Sequence, residues 1–524
     1  MSDPAKTPDG EHHAFIGAAK LIAACTMLSR VLGLVRDIMM ATFFGAAAVS
    51  DAFFTAWKIP NLFRRLFGEG AVSSALVPTF TASIKTRSDE QTRKLFSVTF
   101  TAMFLLLGAL TLLIEGVVNG LLWWGEFTPR TTLLLQYLAI LMPYMVLICL
   151  SAFLMAVLNA YKHFFAPAMM PVVLNVVWIG GLYLIMLLVG DQAAGGRWLS
   201  IVILIGGGLQ LLFQVPFAMR RGLRLRPSTD FSDPEFRRIL RLWVPVVIGS
   251  AVVQVNALVD HGLAYFVVPY TGAPTFLHYG NRLMHLPIAL IGVAISTAVL
   301  PTLSEHAAGE EPEKFKRSLI AALRVTLFLA MPAGIGLMAT SRPLVEVIFR
   351  HGAFTLTAAG RTAWVVFCYA LGIWAHTGVF VLLRAFYAVR DTRTPLRVAL
   401  VMVLLNLALN LTLIWFLAEA GLALATSISG MAQFVVLWVI LRKRLGRLGG
   451  RDVAHSSLKT LAMSLVMGAA AAAAWHYLWP EDAWIGVRVG VLAGIILGAM
   501  GVFAAGAALL RMSELRQILR LRRQ

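Results

Sequence analysis

Apolar residues form long continuous segments along this chain, and short polar loops separate them. Residues 105–113, 201–213 and 489–510 contain very few polar side chains. With its flanks, each segment reaches the roughly 20 residues that a helix needs to cross a bilayer. The pattern predicts an all-α polytopic membrane protein with fourteen transmembrane helices, near 15–45, 49–84, 94–124, 131–160, 165–189, 198–220, 240–268, 273–303, 315–340, 360–388, 394–418, 420–442, 456–479 and 483–511.

Basic residues are concentrated in alternate loops between these predicted helices. By the positive-inside rule, the basic loops and both termini are predicted to face the cytoplasm from the inner membrane. The net charge of +19 then reflects topology and contact with anionic headgroups, and it does not indicate nucleic-acid binding. The basic side holds Lys85, Arg87, Arg93, Lys94 and the basic residues of 220–241, 314–317, 390–397, 442–451 and 511–523, whereas the other side has mainly Arg130, Arg197, Arg342, Arg350 and Arg361.

The chain also repeats itself. AVSSALVPTF at 71–80 matches AISTAVLPTL at 294–303, with five of ten residues identical, and a weaker match relates 160–167 to 388–395. The offsets of 223 and 228 residues predict two parallel six-helix repeats followed by two extra helices. We therefore divide the chain into a cytoplasmic tail (1–13), an N-terminal lobe (14–232), a C-terminal lobe (233–450) and a final helix pair with a basic cytoplasmic tail (451–524).

Composition narrows the possible functions. Hydrophobic residues make up 59% of the chain and charged residues only 14%, which is typical of a protein embedded in lipid. Cys25, Cys149 and Cys368 all lie in apolar segments and are interpreted as packing residues. Because the sequence has no GxxxxGK[ST] motif, zinc-ligand spacing or nucleophile elbow, it predicts neither an ATPase nor an enzyme. The function class that remains is a transporter driven by an ion gradient or by the membrane potential.

Ionisable residues within the apolar segments are the strongest functional signal, since a charge at the bilayer centre costs about 2.5–3.5 kcal/mol. Guanidinium groups match phosphate oxygens in a bidentate geometry, so a cationic cavity predicts a phosphate or diphosphate ligand. An alternative is that some of these charges are helix-end anchors or internal ion pairs, especially Lys58, Arg65 and Glu69. The predicted substrate-binding residues are Arg30, Arg36, Arg64 and Arg282, and the predicted orienting or gating residues are Asp37, Asp51, Lys58, Arg65 and Glu69.

A second polar set lies in the C-terminal half. Asp260, Asn406, Asn410 and Thr426 fall in apolar segments and offer one carboxylate, two amides and one hydroxyl. Such oxygen ligands suit a hard monovalent cation, so Na⁺ is a possible ligand although no cofactor is required. Hydrogen bonding between helices is the alternative interpretation.

Four segments carry a resemblance to a known family: SRVLGLVRD at 29–37, SDAFFTAWKIPNLFRRLFGEGAVSSALVP at 50–78, YGNRLMHLPIALIGVAISTAVLPTLS at 279–304 and FRHGAF at 349–354. They resemble the MurJ (MviN) family of lipid II flippases, within the multidrug/oligosaccharidyl-lipid/polysaccharide exporter superfamily. The resemblance implies two lobes around a cationic cavity and a groove on the last two helices for an undecaprenyl tail. It implies transport of lipid II from the cytoplasmic to the periplasmic leaflet by alternating access, for peptidoglycan and cell-wall synthesis.

Residue by residue, the family's essential arginines match Arg30, Arg36, Arg64 and Arg282, and its acidic positions match Asp37, Asp51 and Glu69. The sodium site of some members maps onto Asp260, Asn406, Asn410 and Thr426, but Asn410 replaces a carboxylate there. We therefore expect dependence on membrane potential with weak or no dependence on sodium. Asn281 and His285 also replace acidic residues that are common in relatives.

Two other functions fit part of this pattern. A drug–cation antiporter of the same superfamily would share the architecture, but its cavity should be acidic or apolar. A membrane-embedded glycosyltransferase acting on lipid-linked sugars would need a catalytic carboxylate in a substantial periplasmic loop, and these loops are short. The sequence thus favours a monomeric flippase whose partners are lipid II and membrane lipids, without nucleotide or nucleic acid.

Overall fold

The computed structural model describes residues 8–224, 226–446, 450–481 and 483–521, and these ranges contain helices and no β-strand. The all-α fold class is confirmed. The chain forms two compact units, 1–258 and 259–524. The predicted limits of the two lobes and of the final segment stay predictions.

Unit 1 consists of helices joined by short turns. In chain order it contains α1 (Pro8–Phe44), α2 (Ala48–Phe63), a π-helical segment (Arg64–Gly70), α3 (Ala71–Thr86), α4 (Asp89–Trp124), α5 (Pro129–Leu141), α6 (Tyr144–Ala160), α7 (Phe165–Leu188), α8 (Gln192–Met219) and most of α9 (Pro234–Phe266), which runs across the boundary between the units.

Unit 2 has the same construction with additions. It contains α10 (Ala273–Pro287), a π-helical segment (Ile288–Val293), α11 (Ala294–Ala308), α12 (Pro312–Ala339), α13 (Ser341–Phe349), α14 (Leu356–Ala370), α15 (Ile373–Ala388), α16 (Arg393–Leu417), α17 (Glu419–Leu445), α18 (Gly450–Leu478), α19 (Ile485–Leu509) and α20 (Ser513–Leu521).

Eleven helical spans in the described ranges are long and apolar enough to cross a membrane, with α5–α6 and α10–α11 each counted as one span. The pair α14–α15, bent by 40°, raises the number to twelve. The predicted count of fourteen is therefore not confirmed. The two remaining predicted spans, 15–45 and 49–84, fall on α1 and on α2–α3, which are not among the spans identified by length and composition.

The repeat in the sequence is also a repeat of secondary structure. In each unit a helix leads through a π-helical segment into the repeated motif, so α3 and α11 begin 223 residues apart, as the motif does. A turn later in each unit places a non-glycine residue at positive φ, Lys162 at 57° and Arg390 at 58°. In both turns the next amide bonds to the carbonyl five residues earlier, which closes the preceding helix.

The C-terminal helices pack onto the rest of unit 2. Phe328 of α12, Met467 of α18, Ile495 and Phe503 of α19, and Met512 before α20 form one buried apolar cluster. The rings of Phe328 and Phe503 lie 5.2 Å apart. Burial of these side chains holds α18 and α19 against α12.

Large aromatic side chains are exposed at helix ends that lead into the loops with few basic residues. Trp123 and Trp124 end α4, Trp415 and Phe416 lie at the end of α16, and Trp484 precedes α19. Exposed Trp residues at such positions are typical of the interface between lipid and water.

Ion pairs attach the polar segment before α9 to α4 and to the turn between α3 and α4. Arg87 donates to Asp233 at 3.0 Å, and Lys94 lies 2.5 Å from Asp230. Asp233 also caps α9, because its carboxylate accepts from the amide of Glu235 at 2.8 Å. Burial raises the pKa of Asp233, but the hydrogen bonds from Arg87 and the backbone outweigh it and lower the pKa overall.

Asp233→Ala should lower the thermal unfolding midpoint more than Asp233→Asn, because Asn keeps the cap and loses only the ion pair. The cap is worth about 0.5–2 kcal/mol. Since the pKa of Asp233 is lowered, its charge stabilises the fold above about pH 4 and stops doing so as the pH falls through that lowered pKa. Thermal unfolding in detergent across pH 3–8 tests this, with Glu235→Gln as control. Equal midpoints for Asp233→Ala and Asp233→Asn would contradict the capping role.

Candidate functional site

Arg36 and Asp37 form a partly buried ion pair on α1. The Arg36 Nε and Nη2 atoms donate to Asp37 Oδ1 at 3.0 and 2.7 Å. The Arg36 side chain is 15% exposed and that of Asp37 only 2%. A charge pair at this depth must have further polar contacts to offset its loss of hydration.

Those contacts come from α7. Asn175 accepts from Arg36 Nη1 at 3.1 Å and donates to the carbonyl and hydroxyl oxygens of Ser29 at 3.1 and 3.2 Å. The guanidinium carbon of Arg36 lies 4.6 Å from the ring centroid of Trp178, one turn further along α7. Asn175 therefore fixes Arg36 and ties α1 to α7, while Trp178 supplies a cation–π face.

Aromatic rings continue the wall beside Arg36. The ring of Trp178 lies 5.3 Å from Trp57 and 5.7 Å from Phe53, both on α2, and Trp57 lies 4.9 Å from Tyr144 at the start of α6. Tyr144 and Phe53 are fully buried. The position of Arg36 is thus set by four helices of unit 1: α1, α2, α6 and α7.

Arg64 lies at the start of the π-helical segment, where its Nε donates to Asn61 Oδ1 at 2.7 Å. It is half-buried. Both Arg64 and Arg36 are close enough to Tyr144 to act electrostatically on its hydroxyl group. These two predicted substrate-binding arginines therefore lie within electrostatic range of the same buried tyrosine.

The other two predicted arginines have different surroundings. Arg30 is exposed on α1, and Arg282 is exposed on α10 of unit 2. Convergence of all four on a single space stays a prediction.

Among the orienting or gating residues, Asp51 is fully buried and accepts from Arg130 Nη2 at 3.3 Å. Arg65 is exposed, and its Nη1 lies 3.4 Å from the amide oxygen of Gln254 on α9. Lys58 is half-buried on α2. Glu69 belongs to the π-helical segment, and its side chain lies outside the described residues.

Sequence reasoning missed three residues here. Asn175 and Trp178 lie in an otherwise apolar segment whose pattern does not distinguish them, and the predicted helix bounds place Arg130 in a loop. An amide three residues before an indole in an apolar helix was the available signal, because that spacing places both on one face. Nothing in the local sequence pairs Arg130 with Asp51, which lies 79 residues away.

Unit 2 brings together three of the four residues of the predicted sodium site. The Asn410 Nδ2 atom donates to Asp260 Oδ1 at 2.6 Å and to Asn406 Oδ1 at 3.0 Å. Thr426 instead donates to the carbonyl of Leu422 in its own helix at 3.1 Å. All three joined residues are buried.

In this arrangement an amide donor, and not an oxygen ligand set, faces the Asp260 carboxylate. The Asn410 amide nitrogen, with its partial positive charge, stands where a metal ion would contact Asp260. In the described part of the chain, no group of three or more His, Cys, Asp and Glu residues is placed to hold a metal ion. The arrangement favours the alternative interpretation, a hydrogen-bonded network between α9 and α16.

Comparisons with known proteins agree on one family. Residues 40–485 match the family model described as lipid II flippase MurJ. The chain is 34% identical over 430 residues to a probable lipid II flippase MurJ of Vibrio cholerae, covering 80% of this chain and 81% of that protein. It is 32% identical over 511 residues to one of Haemophilus influenzae, covering 93% and 98%.

Solved structures give the same result. A lipid II flippase MurJ in an inward closed conformation superposes with a TM-score of 0.75 at 26% identity, covering 93% of this chain and 99% of that one. An inward-facing multidrug resistance MATE family transporter of the MOP superfamily gives 0.65 at 13% identity, covering 82% and 98%. At that identity the second match shows the fold alone.

Asn410→Asp should convert the hydrogen-bonded cluster into a sodium site. Two facing carboxylates so close together repel each other, so they need a cation or a proton between them. We expect the unfolding midpoint of the wild type to be the same in NaCl and KCl, and that of Asn410→Asp to be higher in NaCl. Asn410→Leu, which adds no charge, is the control. A sodium-dependent midpoint in the wild type would show that Asn410 does not replace the ion.

Proposed function

The chain belongs to the MurJ family of lipid II flippases, and from that premise we propose that Arg36 and Arg64 of unit 1 bind the diphosphate of lipid II during its passage from the cytoplasmic to the periplasmic leaflet. The observation that carries the proposal is that the Arg36 guanidinium group is already held by neighbouring side chains. Asp37, Asn175 and Trp178 hold its guanidinium group at fixed distances within an apolar segment.

The hydrogen-bonding capacity of Arg36 supports this role. A guanidinium group has five N–H donors, and three contacts to Asp37 and Asn175 leave two for a ligand. Hydrogen bonds from a cation to phosphate oxygens are shorter and stronger than neutral ones. Because three donors are already fixed, a phosphate meets a preorganised group and loses little side-chain entropy on binding.

Asp37 has an orienting role in this proposal. A carboxylate repels a diphosphate, so direct contact with the substrate would weaken binding. Its two short contacts with Arg36 instead hold the guanidinium group in place when no substrate is bound. The exposed Arg30 and Arg282 are the further cations that we propose for the substrate path.

The orientation that we propose in the inner membrane rests on the difference in basic residues between alternate loops. We propose that the loops with few basic residues face the periplasm and that the basic loops and both termini face the cytoplasm, because Lys and Arg accumulate on the cytoplasmic side. Exposed Trp123, Trp124 and Trp415 support placing their helix ends at a membrane–water interface. We propose a monomer that moves lipid II without making or breaking covalent bonds. An antiporter for cationic drugs is disfavoured by the basic residues around Tyr144.

Membrane potential is the energy source that the charges support. Moving one unit charge through 100 mV is worth about 2.3 kcal/mol. An inside-negative potential would draw the empty, positively charged site towards the cytoplasm, and the substrate would neutralise that charge and release the site to open outward. The Asn410–Asp260 hydrogen bond argues against sodium as the coupling ion.

Substitutions at the pair should rank in a definite order. Arg36→Ala should abolish most flipping, and Arg36→Lys should still lose about tenfold, because an ammonium group cannot form the fork and a lost charge-assisted hydrogen bond costs about 1.5–3 kcal/mol. Asp37→Asn should lose less than Arg36→Lys, because its amide oxygen still accepts from Arg36. Transport of labelled lipid II in proteoliposomes measures the order, with the exposed Arg197→Lys as control. A wild-type rate for Arg36→Lys would overturn the proposed site.

Flipping should depend on membrane potential and not on a sodium gradient. Sealed vesicles allow the two to be set separately, with a potassium diffusion potential in sodium-free buffer and a sodium gradient at zero potential. We expect the rate to rise with an inside-negative potential and to be unchanged by sodium. Activity that follows sodium and ignores potential would contradict this coupling and leave the diphosphate site intact.

A further inference from the structure

Unit 2 has a polar cavity of about 180 Å³ at the basic end of the C-terminal helix pair. It lies where α18 begins and α19 turns into α20, beside α12. The proposed function does not use this cavity. The charged and titratable residues that line it are Arg324, Asp452, His455, Lys459, Arg511 and Glu514.

One wall of the cavity is a closed ion pair. Glu514 of α20 accepts from Arg324 Nε at 2.7 Å and from Ser456 Oγ at 2.6 Å, and its side chain is 2% exposed. Arg324 Nη2 also donates to Ser513 Oγ at 2.9 Å. The charges of Arg324 and Glu514 therefore cancel, and their contacts hold α20 against α12 and α18.

The remaining charges are not balanced. Among side chains that the structure describes, Lys459 and Arg511 have no ion pair, and neither has Asp452. Two cations and one carboxylate leave the cavity with one net positive charge, to which His455 adds when protonated. Solvated charges at helix ends are common, but these line one polar cavity.

The backbone fixes the position of Arg511. Its φ of 50° is unusual for a residue with a side chain, and the turn is closed by hydrogen bonds from Arg511 N to Ala508 O and from Met512 N to Ala507 O, both 3.0 Å. The adjoining surface is apolar, because Leu509 is 82% exposed and Leu510 is 41% exposed. The cation Arg511 therefore adjoins the exposed apolar surface formed by Leu509 and Leu510.

We propose that this cavity binds the monoanionic phosphodiester headgroup of a phospholipid in the leaflet on the basic side. One negative charge matches the net charge of the cavity, and Lys459 and Arg511 are the groups that would contact the phosphate. Its location at the ends of two membrane-spanning helices favours a lipid over free phosphate, since basic pockets between helices at this depth suit anionic headgroups. The proposal is independent of the diphosphate site around Arg36.

The test uses the purified full chain in a neutral detergent and isothermal titration calorimetry. Short-chain phosphatidylglycerol is titrated against phosphatidylcholine of the same chain length and against inorganic phosphate. Phosphatidylglycerol should bind saturably at one site and at least about tenfold more tightly than either alternative. Equal binding of phosphatidylcholine would overturn the proposal, and equal binding of inorganic phosphate would show a free-anion site instead.

Variants locate the site. Lys459→Gln with Arg511→Gln should weaken phosphatidylglycerol binding by about tenfold or more, whereas Arg442→Gln with Lys443→Gln, an exposed pair outside the cavity, should change it by less than about twofold. Asp452→Asn removes the opposing charge and should tighten binding severalfold. This variant keeps the test decisive if the double variant does not fold. Unchanged binding in Lys459→Gln with Arg511→Gln, or weaker binding in Asp452→Asn, would refute the site.

Discussion

A charge inside a hydrocarbon layer must find polar partners, and much of unit 1 follows from that requirement at Arg36. Three of its N–H groups and the face of its guanidinium are occupied, by a carboxylate on its own helix, an amide on α7 and an indole one turn beyond. Two of these partners are themselves held in place: Asn175 by hydrogen bonds to Ser29, and Trp178 by the rings of Trp57 and Phe53. Such a chain of contacts is expected where the membrane makes an unpartnered polar group costly.

The two units share an order of helical segments but differ in how they pair their buried charges. In each, a helix carrying a cation passes through a π-helical segment into the repeated motif, and Lys58 and Arg282 both lie five residues before the last residue of that helix. Internal charges are satisfied differently, by Arg130 for Asp51 in unit 1 and by Asn410 for Asp260 in unit 2. Common architecture thus supports different chemistry in the two halves.

The repeat, the helical class and the position of Arg36 and Asp37 as charged residues within an apolar segment could be predicted because they depend on local pattern. Apolar segments, repeated motifs and charges in apolar surroundings are all visible along the chain. The sequence does not predict the contacts of Asn175, Trp178 and Arg130, because these contacts depend on which helices pack together. A single polar residue in an apolar helix does not specify its partner. The count of fourteen spans is not confirmed, because α1 and α2–α3 are not among the helices that length and composition identify as spans.

The π-helical segments also bear on the history of the protein. A π turn takes up one residue more than an α turn, so it records the insertion of a single residue into a helix. Both units have this feature directly before the same motif, at the offset that relates the two halves. The simplest account is that the insertion was already present in a shorter ancestral gene and was copied when that gene duplicated. On this account the widened turn is older than the two-lobed protein, and Arg64, which we propose as a diphosphate ligand, lies in a segment that already existed.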